Sequence, residues 1–145
     1  MTTVRKSALV PYSAHEMYEL VADIERYGEF LPWCGGARIL ARDGDTVTAA
    51  ILIAYRGVNK SFTTRNSVVP DRSMEMRLVE GPFRHLLGNW RFEPLEEHAS
   101  KVSLDLEFEF ANPLLAIAVG PVFNHIANGL VDSFRKRAAQ MHGAR

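Results

Sequence analysis

The sequence predicts an α+β domain in which a long C-terminal helix lies across a seven-stranded antiparallel sheet. Three observations carry this expectation. Residues 101–110 alternate polar and apolar without a fault, which is the period of a strand with one wet face and one apolar face. At Asn112-Pro113 the pattern switches to helical spacing for about thirty residues. Between residues 37 and 100 the chain falls into short runs separated by turn residues. Short links imply antiparallel pairing, because parallel pairing needs long crossovers.

Thr3–Val10 reads as the first strand, ended by Pro11. Ser13 and Glu16 then form a capping-box pattern for a helix through about Ala22, with Met17, Leu20, Val21 and Ile24 on its apolar side. Asp23 is placed to cap a second short helix through about Phe30. Leu31-Pro32-Trp33-Cys34-Gly35-Gly36 is a bend, since the residue before proline avoids the helical region. Ala37–Arg42 is a strand and Asp43-Gly44 a hairpin turn. Thr46–Tyr55 puts Val47, Ala49, Ile51, Ile53 and Tyr55 on one side, and Arg56-Gly57 turns the chain into Asn59–Val69. Ser73–Glu80 carries Met74, Met76 and Leu78 on one face, and His85–Pro94 carries Leu86, Trp90 and Phe92. Leu95–Ser100 turns into the alternating strand already described. The last helix is expected from about Pro113 to Met141, with Asn112 as N-cap and Pro113 at N1. Val119, Val122, Phe123, Ile126, Leu130, Phe134 and Ala138 share one stripe, and Pro121 predicts a kink near Ala118–Gly120.

A chain of 145 residues suits one domain, spanning 1–145, with a single core. The apolar fraction of 47% permits a generous interior or a lined pocket. Pro113–Ile126 is the nearest approach to a membrane span, and Gly120-Pro121 and Asn124-His125 interrupt it. The N-terminus lacks the apolar core of a signal peptide, and one cysteine makes no internal disulfide, so a cytoplasmic location is expected. Seventeen basic and seventeen acidic residues cancel, which argues against general nucleic-acid affinity but leaves room for a local patch.

The chain carries no Gly-rich phosphate loop, no His-Glu-x-x-His and no Cys-x-x-Cys. Its five histidines are scattered, so neither a catalytic residue nor a metal site is expected. His125 either faces the sheet or borders the apolar stripe. Cys34 reads as a small buried hydrophobe. Thr64 and Asn66 point inward between Phe62 and Val68, where they either offer hydrogen bonds to a ligand or satisfy backbone at a bulge. The positive signal is an apolar lining. Trp33, Met74, Met76, Phe83, Trp90, Phe92, Phe108, Phe110 and Phe123 are expected to face the space between sheet and helix or its mouth. Such residues fill a core in most proteins. A strongly curved sheet that does not close completely on its helix leaves an apolar hollow suited to a guest.

Several stretches in order resemble one family. Asp23-Ile-Glu-Arg-Tyr-Gly-Glu-Phe-Leu-Pro-Trp-Cys34 resembles the signature of the coenzyme Q-binding START-like family. Gly81-Pro-Phe-Arg84 with Gly88-Asn-Trp-Arg-Phe92 resembles its second signature, and Phe108-Glu-Phe-Ala-Asn112 with Phe134–Ala138 fits its third. Gly28 stands where the family usually has proline after tyrosine, and Pro121 is a second departure. The family belongs to the polyketide cyclase/dehydrase-like superfamily.

The resemblance implies a helix-grip fold: a seven-stranded curved sheet around the C-terminal helix, with two short helices after the first strand. It implies two functions. One is a lipid-binding chaperone for ubiquinone, or a similar isoprenoid lipid, in respiration, with no covalent cofactor. Trp33 and Phe83 would form the mouth. Met74, Met76, Trp90, Phe92 and Phe108 would line the interior, and Val122, Phe123, Ile126 and Leu130 the helical lid. The other is a ribosome-association toxin that binds the large ribosomal subunit and blocks 70S assembly. For that function Arg135, Lys136 and Arg137 are the candidate RNA contacts, although basic residues at a helix C-terminus also complement its dipole. An aromatic cyclase or dehydratase is a third reading, disfavoured by the scarcity of inward acids and bases. The mouth residues also suit transient contact with a bilayer at the inner membrane. The oligomeric state is left open.

Overall fold

The computed structural model describes residues 1–145. It places β1 at Thr2–Val10, α1 at Ala14–Ala22 and a 3₁₀ helix at Ile24–Glu29. The strands β2 (Cys34–Asp43), β3 (Thr46–Tyr55), β4 (Val58–Val69), β5 (Ser73–Glu80), β6 (Phe83–Glu96) and β7 (Ala99–Phe110) follow, and α2 (Pro113–His142) ends the chain. All pairings are antiparallel, and the sheet order is β1-β7-β6-β5-β4-β3-β2. Strands β2 to β7 form the expected meander. β1 leaves it and pairs with β7 at the far edge, with Val4 opposite Leu106. The curved sheet wraps α2, whose buried stripe includes Val119, Phe123, Ile126, Phe134 and Ala138.

The local signals explain the element ends. Ser13 accepts from the Glu16 amide at 3.0 Å while Glu16 accepts from the Ser13 amide at 2.9 Å, so two free helix donors are satisfied together. Asn112 does the same for α2 by accepting from the Leu115 amide at 2.9 Å. Arg56 and Gly57 both have positive φ, 48° and 84°, the geometry of a tight hairpin whose twist matches its strands.

Several expectations need correction. The second helix is 3₁₀, and Asp23 does not cap it with its side chain; that carboxylate pairs with Arg26 at 3.2 Å. β2 begins at Cys34 rather than Ala37, because the glycines after Trp33 pair with β3 across a bulge between Cys34 and Gly36. β6 continues through Pro94 to Glu96, with another bulge there, and β7 starts at Ala99. Proline is accepted in a strand where a bulge removes the need for its missing donor. α2 runs unbroken through Pro121 and, by length and composition, is apolar enough to cross a bilayer. Its apolar stripe is spent on the sheet instead.

Candidate binding cavity

Two aromatic clusters hold the sheet and α2 together. At one end the Phe123 ring of α2 meets Phe83 at 4.8 Å and Phe108 at 4.7 Å, with Phe62 and Phe110 around them. At the other end the Phe134 ring meets Trp90 at 5.3 Å, Tyr27 at 5.4 Å and Phe30 at 5.3 Å, mostly edge to face. An apolar cavity lies between the two clusters. It is lined by Ile24, Tyr27 and Trp33 from the segment after α1, and by Ile51, Ile53 and Phe62 from β3 and β4. Met76, Leu86, Trp90 and Leu106 form its floor, and Phe123, Ile126, Leu130 and Phe134 its helical wall. Fourteen of its sixteen lining residues are hydrophobic; the others are Thr64 and Asn66.

A missing side chain shapes the floor. Gly88 of β6 pairs with Met76 on one side and Leu106 on the other. A Cβ at Gly88 would fall 2.5 Å from the Met76 methyl and 3.1 Å from Leu106 Cδ1. Glycine therefore makes the space, and the pliant Met76 chain lies across it. The cavity volume is about 60 Å³. Sites that enclose whole ligands run to roughly 300–1000 Å³. The hollow is thus narrower than the sequence led one to expect, and an isoprenoid guest enters only if Met76 or α2 moves. Ile51, Phe62, Met76 and Leu130 keep partial exposure and mark the side nearest solvent. Beside them the His125 ring of α2 stacks on Tyr55 of β3 at 6.0 Å, and the Arg56 guanidinium covers the same tyrosine at 4.9 Å. His125 is exposed and belongs to this rim, not to the sheet face.

Of the residues expected to bind a ligand, Trp33, Met76, Trp90, Phe123, Ile126 and Leu130 come together around the cavity. Met74, Phe83, Phe92, Phe108 and Val122 are buried in the surrounding core and do not line it. Trp33 and Phe83 were expected at the mouth, yet both are buried, because the bend before β2 folds inward and Phe83 joins the phenylalanine cluster. Tyr27, Leu86, Leu106 and Phe134 were not singled out as ligand contacts. The alternation of β6 and β7 and the stripe of α2 could have indicated the last three. Tyr27 had no such signal, since the inward turn of the 3₁₀ helix decides its place.

The polar groups are few. Thr64 donates to Asn66 Oδ1 at 2.8 Å, and both residues are buried. A bulge does fall between Thr63 and Thr64, but the hydroxyl bonds the neighbouring side chain and not the backbone. Burial pushes the Tyr27 hydroxyl well above its ordinary value, and it donates to the Val21 carbonyl. Cys34 is half-buried and not fully buried as expected, yet that burial raises its thiol, which disfavours the reactive thiolate. No cluster of His, Cys, Asp or Glu is arranged to hold a metal ion.

The candidate RNA contacts lie far along α2. Arg135 and Lys136 both pair with Asp132, the latter at 3.2 Å. Arg137 pairs with Glu29 at 2.9 Å and lies 4.8 Å over the Phe30 ring, so it ties α2 to the 3₁₀ helix. Arg145 makes a two-pronged bond to Glu16 at 2.8 and 3.0 Å. The basic cluster is therefore largely paired with acids.

The family model for polyketide cyclase / dehydrase and lipid transport matches residues 10–135. The chain belongs to that family. Within it, the chain is 43% identical over 145 residues to the Ribosome association toxin RatA of Escherichia coli strain K12, covering 100% of this chain and 92% of that one. It is 28% identical over 142 residues to the Coenzyme Q-binding protein COQ10 homolog B, mitochondrial, of Xenopus laevis, covering 95% of this chain and 58% of the relative. Among solved structures, a START superfamily protein from Mycobacterium smegmatis superposes with a TM-score of 0.82 at 22% identity, over 96% of this chain and 98% of that one. That likeness establishes the helix-grip architecture.

Proposed function

We propose that this protein binds a hydrophobic isoprenoid quinone, or a lipid of similar shape, between the sheet and α2 and carries it in support of respiration. The observation behind this reading is a cavity with fourteen hydrophobic lining residues of sixteen and a single buried polar pair. The energetics agree. Each buried methylene contributes about 0.8 kcal/mol, so one five-carbon isoprene unit contributes roughly 3–4 kcal/mol. Micromolar affinity needs about 8 kcal/mol net. Two or three units plus a stacked head group reach that after the costs of ordering and of widening the cavity are met. The protein would act as a carrier and not an enzyme: the lining holds no carboxylate or imidazole to move a proton. It would work in the cytoplasm or against the inner membrane. Trp33 and Trp90 are the only tryptophans and both line the cavity. Titrating delipidated protein with a short-chain quinone should therefore change its tryptophan emission, and an unchanged spectrum at saturating quinone would sink the proposal.

A second reading, association with the large ribosomal subunit to block 70S assembly, is favoured by the 43% identity to the E. coli relative of that name. The acid-paired state of Arg135, Lys136 and Arg137 weighs against them as free RNA contacts. Pelleting with large subunits at low and high salt tests it. Salt-sensitive association supports the reading, and no association at low salt removes it.

A further inference from the structure

The cavity is not polar-neutral: its unpartnered groups are hydrogen-bond donors. Thr64 and Asn66 together carry three hydrogens on their hydroxyl and amide. Their mutual bond uses one of them whichever way the amide is turned. The indole N–H of Trp90, a donor with no acceptor capacity, has no partner in the protein either. Asn66 and Trp90 are each 2% exposed, so neither is wetted from outside. Yet Ser100 Oγ is the one buried side-chain polar atom that is both sealed off and unpartnered. The free hydrogens of Asn66 and Trp90 must therefore open on the cavity that both residues line. A buried donor without a partner is costly, and although the Thr64, Asn66 and Tyr27 oxygens keep lone pairs, none of them accepts from these two groups. On its polar side the site is built to be completed by an acceptor.

We propose that Asn66, supported by Thr64 and joined by Trp90, forms a head-group subsite that selects apolar ring compounds bearing a carbonyl oxygen over hydrocarbons of the same size. This rests on the carrier reading above and deepens it. The remaining walls, Ile53, Leu86, Leu106 and Ile126, supply affinity without discrimination. The donors supply discrimination, because a guest without an acceptor leaves them buried and unsatisfied. The subsite would accept a quinone, an enone or an aryl ketone alike, since all share the carbonyl.

The test is calorimetric titration of the full chain with hexyl-substituted benzoquinone and with hexylbenzene. The wild type should bind the quinone at least about tenfold more tightly. Asn66→Leu should bring the two affinities within about threefold of each other by weakening quinone binding alone. Trp90→Phe, which keeps an aromatic ring in place, should cut the preference in the same direction and serves if Asn66→Leu does not give a native circular dichroism spectrum. Equal binding of both compounds by the wild type would overturn the subsite and leave the carrier reading standing. Binding of neither would overturn the carrier reading and the subsite with it. A preference that survives in whichever folded variant is measured would also overturn the assignment of these residues.

Discussion

From Pro113 to Ala118, α2 projects Leu114 and Ile117 into solvent at 75% and 76% exposure, and its side chains form no ion pair there. From Val131 to its end, the same helix buries Val131, Phe134 and Ala138, pairs Arg137 with Glu29, and receives the Tyr12 hydroxyl on the Gly143 carbonyl at 2.8 Å. The first stretch is apolar throughout and the second mixes charged with apolar residues, and only the second is fastened on several sides. The cavity lies beneath the transition, at Phe123, Ile126 and Leu130. A hollow of about 60 Å³ must widen to take a lipid, and the stretch of α2 before the Phe123 cluster, held on fewer sides, can swing at lower cost than the rest. Pro121 sits where the swing would begin, having removed one backbone hydrogen bond from the ladder.

The largest expected effect is at the fastened end. Phe134→Ala removes a ring packed against Trp90, Tyr27 and Phe30 and should cost about 3–5 kcal/mol in urea unfolding. A loss under about 1 kcal/mol would mean that this half is not the fixed one. Pro121→Ala restores the missing donor and should stabilise α2 by about 1–3 kcal/mol, while slowing uptake of quinone in stopped-flow fluorescence. Faster uptake would show that the proline does not mark the hinge. Arg137→Ala loses both the Glu29 pair and the Phe30 stack, for about 1 kcal/mol in the same unfolding assay. Leu114→Gln with Ile117→Gln should change stability by less than about 0.5 kcal/mol. If it costs far more, the first half is packed against something in solution.

Acid provides a further test of the tether. The bond from Arg145 holds the Glu16 carboxyl down at about 2, against an ordinary 4.5. A carboxylate whose folded pKa is depressed contributes stability that is complete above its unfolded pKa and is lost as pH falls towards the folded one. Thermal midpoints should therefore drop between pH 4.5 and 2, and Glu16→Gln should shrink that drop. An identical pH profile for wild type and variant would exclude this tether as the acid-sensitive contact.

The element pattern was largely legible in the sequence. β3 and β5 have the boundaries that alternation predicts, and α2 runs from the predicted Pro113 to one residue past the predicted Met141. The site was less legible. Periodicity says that Phe92 and Phe108 point inward, and they do. It does not say that Met76 folds across the space left at Gly88 while Phe83, Phe108 and Phe123 close up another. Inwardness is a property of one strand or helix, whereas lining a cavity depends on which inward side chains meet across the layers. The 3₁₀ geometry after Asp23 was likewise hidden, because the same capping residues precede either kind of helix.

The residues alone determined the alternation of β7, the caps at Ser13 and Asn112, the turn at Arg56-Gly57 and the stripe of α2, since each depends on neighbours a few positions apart. Only the tertiary structure decided that β1 crosses to pair with β7, that Arg137 is occupied by Glu29, and that Asn66 and Trp90 line one narrow hollow. Those outcomes join residues tens of positions apart, and no local period encodes how curved layers divide the space between them.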